Sequence, residues 1–214
     1  MENTDIINLW KVYDKKLENS LTLNKTMAQD ITNIKIQSLL TSMKPLKIFT
    51  LIVGVLWVIL VDSLIINLFY VANPIFLISA AIQVILTKIA IGIYVYHLVL
   101  IKKIDINEPI LATQSHLSQL KSSTLLVARI LFLQLPVWTT FYWNESMLQN
   151  GNLVLYVFQA IVTLTFIGLA IWLFVNIKYE NKDKKWFKLI FNGKEWNPIL
   201  KAIELQKEID RFNG

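Results

Sequence analysis

Four long apolar runs constrain this chain more than any other feature: Ile48–Val71, Pro74–Ile101, Ser122–Trp143 and Leu153–Ile177. A helix rises about 1.5 Å per residue, so about 20 apolar residues cross the hydrocarbon of a bilayer. One such run could be the core helix of a soluble domain. Four of them, in a 214-residue chain that is 55% hydrophobic and only 17% charged, point instead to a multi-pass membrane protein. Asn73-Pro74 separates the first two runs, because proline opens a helix and its predecessor avoids the helical region. Residues 144–152 ("NESMLQNGN") separate the second pair. The third run contains Arg129, Gln134 and Pro136, and the proline predicts a kink there.

Charge placement gives the orientation. Of 21 Lys and Arg residues, all but Lys88 and Arg129 lie before the first run, between residues 102 and 121, or after Ile177. The positive-inside rule then places both termini and the middle loop in the cytoplasm. Aromatic residues agree: Phe69, Tyr70, Trp138, Phe141, Tyr142 and Trp143 mark the outer interface, and Tyr94, Tyr96 and Trp172 the inner one. The first 47 residues hold no apolar core of signal-peptide type, so the first span is expected to direct insertion itself. The outer loops are short, which leaves any soluble activity to the cytoplasmic parts.

Those parts read as amphipathic helices. Trp10, Tyr13, Leu17 and Leu21 follow 3-4-4 spacing, one stripe of a surface helix. "TLN" at 22–24 interrupts the stripe, and Asn24 is a candidate cap for a second helix carrying Met27, Ile31 and Ile34. Pro45 predicts a bend where this segment meets the first span. In the middle loop, Asn107 is a candidate cap with Pro109 in the first turn, and Ile110, Leu117 and Leu120 extend the third span inward. In the tail, Pro198 opens a helix with Ile199, Ile203, Gln206, Ile209 and Phe212 on one face. Short amphipathic helices cannot bury their stripes alone, so mutual packing into a small helical cap is the plainer expectation. The sharper one leaves the Trp10, Tyr13, Leu17 and Leu21 stripe to a partner protein's helix; homo-oligomerisation is a separate expectation.

Lys182, Lys184, Lys185 and Lys188 interleave with Trp186, Phe187 and Phe191 just inside the last span. This pattern suits anionic lipid headgroups, worth about 1 kcal/mol per cation near the surface. Nucleic acid is not the expected partner, since the patch abuts the membrane and Glu195, Glu204, Glu208 and Asp210 dilute the rest of the tail.

Within the spans, Asp62 stands out. Counting from the predicted outer ends, it lies about 13 Å deep, with Gln83 and Gln134 at a similar depth and Gln159 slightly shallower. Each span thus offers one polar side chain to one layer. Lys88 lies about 8 Å further in and leans back toward Asp62, because side chains tilt toward their helix N-terminus. The layer reads as interhelical glue, with a proton or ion relay as the alternative. Arg129, about two turns from its span's cytoplasmic end, is expected to snorkel to the headgroups.

Chemistry-bearing motifs are missing. There is no cysteine, hence no disulfide or thiolate site. His97 and His116 are isolated, and no HExxH, P-loop, GxSxG or dinucleotide fingerprint occurs. No catalytic residue, cofactor or metal site is expected, and the chain does not read as an enzyme.

Finally, the opening "LWKVYDKKLENSLTLN" (9–24) resembles that of a group of small uncharacterised four-span membrane proteins of Bacteroidota. Their pattern is Trp-x-x-Tyr-Asp-x-Lys-Leu with a later Leu-Asn, matched here by Trp10, Tyr13, Asp14, Lys16, Leu17, Leu23 and Asn24. The resemblance implies four spans and a basic tail but no biochemical activity. Members look like neighbours of sigma-factor genes, which implies membrane-linked regulation.

The expectation is an all-α integral membrane protein of a bacterial inner membrane, N-in and C-in. Its parts are cytoplasmic helices (1–47), a first hairpin (48–101), a cytoplasmic loop or helix (102–121), a second hairpin (122–177) and a basic tail (178–214). The expected role is a membrane-tethered regulator or scaffold, for instance of a transcription or signalling factor. The alternative is a small proton- or ion-coupled transporter built on the Asp62 layer.

Overall fold

The structure, a computed structural model, describes residues 2–104, 110–142, 152–193 and 196–213. Its elements are α1 (Glu2–Thr41), α2 (Lys44–Leu68), α3 (Pro74–Lys103), α4 (Ile110–Phe132), α5 (Leu135–Thr140), α6 (Leu153–Asn176), α7 (Lys185–Phe191) and α8 (Asn197–Asn213), with one 3-10 turn at Tyr179–Asn181. Among the described residues there is no strand. Four helical segments are long and apolar enough to cross a membrane: Ile6–Leu68, Pro74–Lys103, Ala112–Thr140 and Leu153–Asn176. They contain the four runs read from the sequence, apart from a few residues at the run ends. The cap expected at Asn107 with Pro109, and the outer loop with Trp143, lie outside the described residues.

Local chemistry explains most of the boundaries. Asn73 caps α3, its Oδ1 accepting from the Ile75 amide at 2.8 Å, with Pro74 in the first turn. Asn152 caps α6 in the same way through the Val154 amide. The kink expected from Pro136 is present. Leu133 and Gln134 form a turn between α4 and α5, and their amides bond three residues back, to Ile130 and Leu131. Ahead of Pro45, α1 ends at Thr41 and α2 begins at Lys44.

The expected break at residues 22–24 is absent. α1 runs 40 residues without interruption. No glycine or proline occurs between Glu2 and Lys44. The threonines that weaken the pattern bond back into their own helix: Thr22 Oγ1 donates to Glu18 O, and Thr26 Oγ1 to Thr22 O. Asn24 is therefore an interior residue and not a cap.

α2 and α3 form a hairpin, α3 packs on α4 and α5, and α6 packs on α4 and α5. Gly54 faces α3, where a Cβ would stand in van der Waals contact with Ile91 Cγ1 at 3.4 Å. The bundle is apolar outside and partly polar within. Ile59, Leu60, Ile66, Phe158 and Leu164 are exposed, while Ser79 bonds Thr140 (2.8 Å) and Thr139 bonds Thr163 (3.0 Å) between helices. A soluble bundle has the opposite distribution; lipid-facing bundles have this one.

At one end of the bundle a second core forms a cap. Ile36, Leu40 and Met43 of α1 pack with Leu100, Ile101 and Ile104, with Leu117 and Leu120 of α4, and with Ile199, Ala202 and Ile203 of α8. Leu117 and Leu120 carry the third span's inward extension, and Ile199 and Ile203 the apolar face of the tail helix, as expected; the side chains of Ile110 and Phe212 lie outside the described residues.

Candidate functional site

Four features of the molecule carry chemistry beyond packing. The largest is the open face of α1. Every side chain from Ile6 to Ala28 is exposed, Trp10 to 71% of its surface. Trp10, Tyr13, Leu17 and Leu21 therefore do not join the cap, contrary to the plainer expectation. Only the second half of α1 does. Because the helix is continuous, the two stripes merge into one 3-4 repeat. Trp10, Leu17, Asn24 and Ile31 fall at its a positions, and Tyr13, Ser20, Met27 and Ile34 at its d positions. Leu21 flanks this seam. Ile31 and Ile34 remain exposed even where α8 packs, because α8 covers the opposite face, through Ile36 (f) and Leu40 (c).

The second feature is a set of polar contacts in the spans. The ion pair expected between Asp62 and Lys88 is present, Nζ to Oδ2 2.9 Å. It lies on the outer face of the α2–α3 hairpin, with side chains 38% and 54% exposed respectively. The remaining predicted members do not join it. Gln134 Nε2 donates to Thr87 Oγ1 (3.1 Å), and Gln159 Nε2 to the carbonyl of Thr139 (2.6 Å). Gln83 is buried, and its Oε1 has no partner among the described residues. Helical geometry explains the scatter. Gln83 and Thr87 share one stripe of α3, whereas Lys88 is turned about 140° from Gln83. Similar depth placed these groups in one layer, but their azimuths divide it into separate contacts. Arg129 Nε donates to the carbonyl of Ile177 at 2.7 Å, which closes the end of α6.

Beneath the cap lies a buried polar chain that the sequence reading missed. Lys47, fully buried, reaches His97 Nδ1 at 3.1 Å. His97 Nε2 meets Ser123 Oγ at 2.9 Å, and Ser123 Oγ donates to Gln119 O at 2.7 Å. An ammonium only donates, so Nδ1 accepts and the neutral ring carries its proton on Nε2. Tyr94 packs edge-on against His97 and presents its ring to the Lys47 ammonium at 4.9 Å. His97 is thus satisfied but not isolated, and Tyr94 is a core residue rather than an interfacial anchor. A sequence signal existed. Lys47 and His97 are each 25 residues from Ala72 at the hairpin turn, so an antiparallel hairpin brings them level.

The fourth feature is the tail. The basic-aromatic stretch separates by face. Phe187 and Phe191 are buried against Leu173, Ile177 and Ala128, and Trp186 stacks edge-on with Trp172 at 4.9 Å. Lys184, Lys185 and Lys188 stay exposed. Lys182 turns inward, to the Tyr179 hydroxyl (3.3 Å) and Glu204 (3.6 Å). The Tyr179 hydrogen bond, with Glu204 and Asp183 near, outweighs partial desolvation and holds its ammonium above the ordinary lysine range. Three of the four predicted headgroup lysines keep the geometry for that role.

Comparison of the chain with protein-family models, curated proteins and solved structures finds no match.

Proposed function

We propose that this is a membrane-tethered interaction protein, a regulator or scaffold that presents a helical cytoplasmic surface to a protein partner. The open apolar face of α1 carries the reading. A rod of exposed Trp, Tyr and Leu side chains, anchored at its base by α8 and the bundle, has no use for the fold of its own chain. The orientation it requires is N-in and C-in, supported by the distribution of Lys and Arg. Lys184, Lys185 and Lys188 add contacts to anionic headgroups at the bundle's base. A photo-crosslinking residue at Tyr13, in membranes of cells expressing the full chain, should yield a discrete protein adduct that Leu17→Glu abolishes. A cysteine at position 150 should react with an impermeant maleimide on intact cells, and one at position 213 should not. The reverse labelling pattern sinks the model.

A small proton- or ion-coupled transporter is the second reading, favoured by one observation, the 2.9 Å Asp62–Lys88 pair within the spans. As structural glue, Asp62→Leu leaves Lys88 unpaired, and adding Lys88→Leu restores thermal stability in detergent. Asp62→Asn then folds and complements a deletion strain. Normal folding of Asp62→Asn with a null phenotype favours the transporter.

A further inference from the structure

We propose that the partner of the α1 face is a second copy of this chain, joined through a parallel, in-register two-stranded coiled coil along residues 6–34. This inference rests on the reading of α1 as an interaction surface and names its occupant.

Four observations select this occupant. Apolar residues fill seven of the nine a and d positions from Ile6 to Ile34, and Ile7, Leu9, Leu21 and Leu23 widen that seam at its e and g edges, the face of a helix that packs along another helix. The repeat lies opposite the face that α8 covers, so a partner helix can dock along its whole length without displacing the cap. Asn24 occupies an a position between Leu17 and Ile31. A lone asparagine in an apolar seam is satisfied by the same asparagine of an identical helix in register, and an apolar partner surface would leave its amide unpaired. The flanking positions also suit a parallel pair of identical chains. In that geometry each g residue meets the e residue five positions later on the other helix. The pairs are Leu9–Asp14, Lys16–Leu21, Leu23–Ala28 and Asp30–Lys35. None joins like charges, and the last is an attractive ion pair near the base.

The anchor fixes the direction. α1 ends at Thr41 and the first span begins at Lys44, so two copies in one membrane project their α1 helices the same way and start level. Confinement to the membrane also raises the effective concentration, which offsets the cost of the polar positions Ser20 and Asn24.

The chain has no cysteine, so single cysteines report without background. Full-length Asn24→Cys, Leu17→Cys and Lys15→Cys variants are oxidised mildly in native membranes. Asn24→Cys and Leu17→Cys should form a reducible species of twice the chain mass. Lys15→Cys, at an f position, should remain monomeric. Co-expression of two differently tagged copies should place both tags in the product. Equal linking at positions 15 and 24, or none at position 24, overturns the second-copy inference. The Tyr13 photo-crosslink separates the two levels. An adduct with a different protein, without Asn24→Cys dimers, removes the homodimer and leaves the interaction reading standing. Adducts with lipid alone remove both. An asparagine-specific register predicts that Asn24→Leu keeps the dimer but lets Leu17→Cys on one copy link to Trp10→Cys on a co-expressed copy, one heptad out of register; unchanged register in that variant also counts against the role assigned to Asn24.

Discussion

The two halves of α1 are built on the same helix and meet opposite fates. From Ile6 to Ala28 every side chain is exposed; from Gln29 to Met43 one face is buried against α8 and the ends of α3 and α4. The difference lies in the back of the helix. In the second half Ile36, Leu40 and Met43 supply an apolar stripe there. In the first half the equivalent positions hold Asn8, Lys15, Asn19, Thr22 and Thr26, which need no cover, with Val12 the one apolar residue among them. The front seam runs through both halves and is open in both. The fold of the single chain therefore consumes one stripe of α1 and leaves the other.

That contrast can be broken most decisively at Ile36. Ile36→Asp places a carboxylate in the cap core and should cost about 4 kcal/mol or more, read as thermal unfolding of the protein in dilute detergent. Leu17→Asp under the same conditions should stay within about 0.5 kcal/mol of the parent. Comparable losses at both sites would show that the first half is packed in the monomer. Cavity formation gives the next effect: Leu40→Ala should cost about 2–5 kcal/mol, and Leu21→Ala almost nothing. Amide exchange sharpens the boundary. In monomeric protein, amides between residues 8 and 22 should exchange well before those between 33 and 40, with trypsin cutting at Lys11, Lys15 and Lys16 first. Uniform protection along α1 would erase the distinction. The smallest effect tests continuity. Asn24→Gly should lose about 1 kcal/mol of local helix stability relative to Asn24→Ala, seen as faster exchange at residues 20–28. A glycine accommodated there at no cost would restore the break.

The parts legible in the sequence were those that depend on local chemistry or on length. The four apolar runs, the Asn73-Pro74 opening, the kink at Pro136 and the apolar face of α8 all follow from residues close together in the chain. What stayed hidden depends on which surface finds which. α1 carries two stripes in its second half, and periodicity cannot say that Ile36 is covered while Ile34 is not. Phe187 and Phe191 have the composition of membrane anchors, yet α4 and α6 offer them a core. Arg129 meets a specific acceptor, the carbonyl of Ile177 at the end of α6, which its place in the third run alone did not indicate. Depth was estimated correctly enough to pair Asp62 with Lys88, while rotation about each helix dispersed the glutamines.

The grip that α8 takes on α1 also makes a mechanism of another kind. Its clamp, helped by Gln37 Nε2 donating to Ile104 O, holds the base of α1. Beyond the clamp, residues 6–28 form an unsupported arm about 34 Å long. A tilt of about 10° at the fulcrum sweeps the tip of such an arm through about 6 Å. A slight rearrangement where α1, α3 and α8 meet is therefore a large excursion at Trp10, and whatever holds Trp10 exerts leverage in return on the bundle.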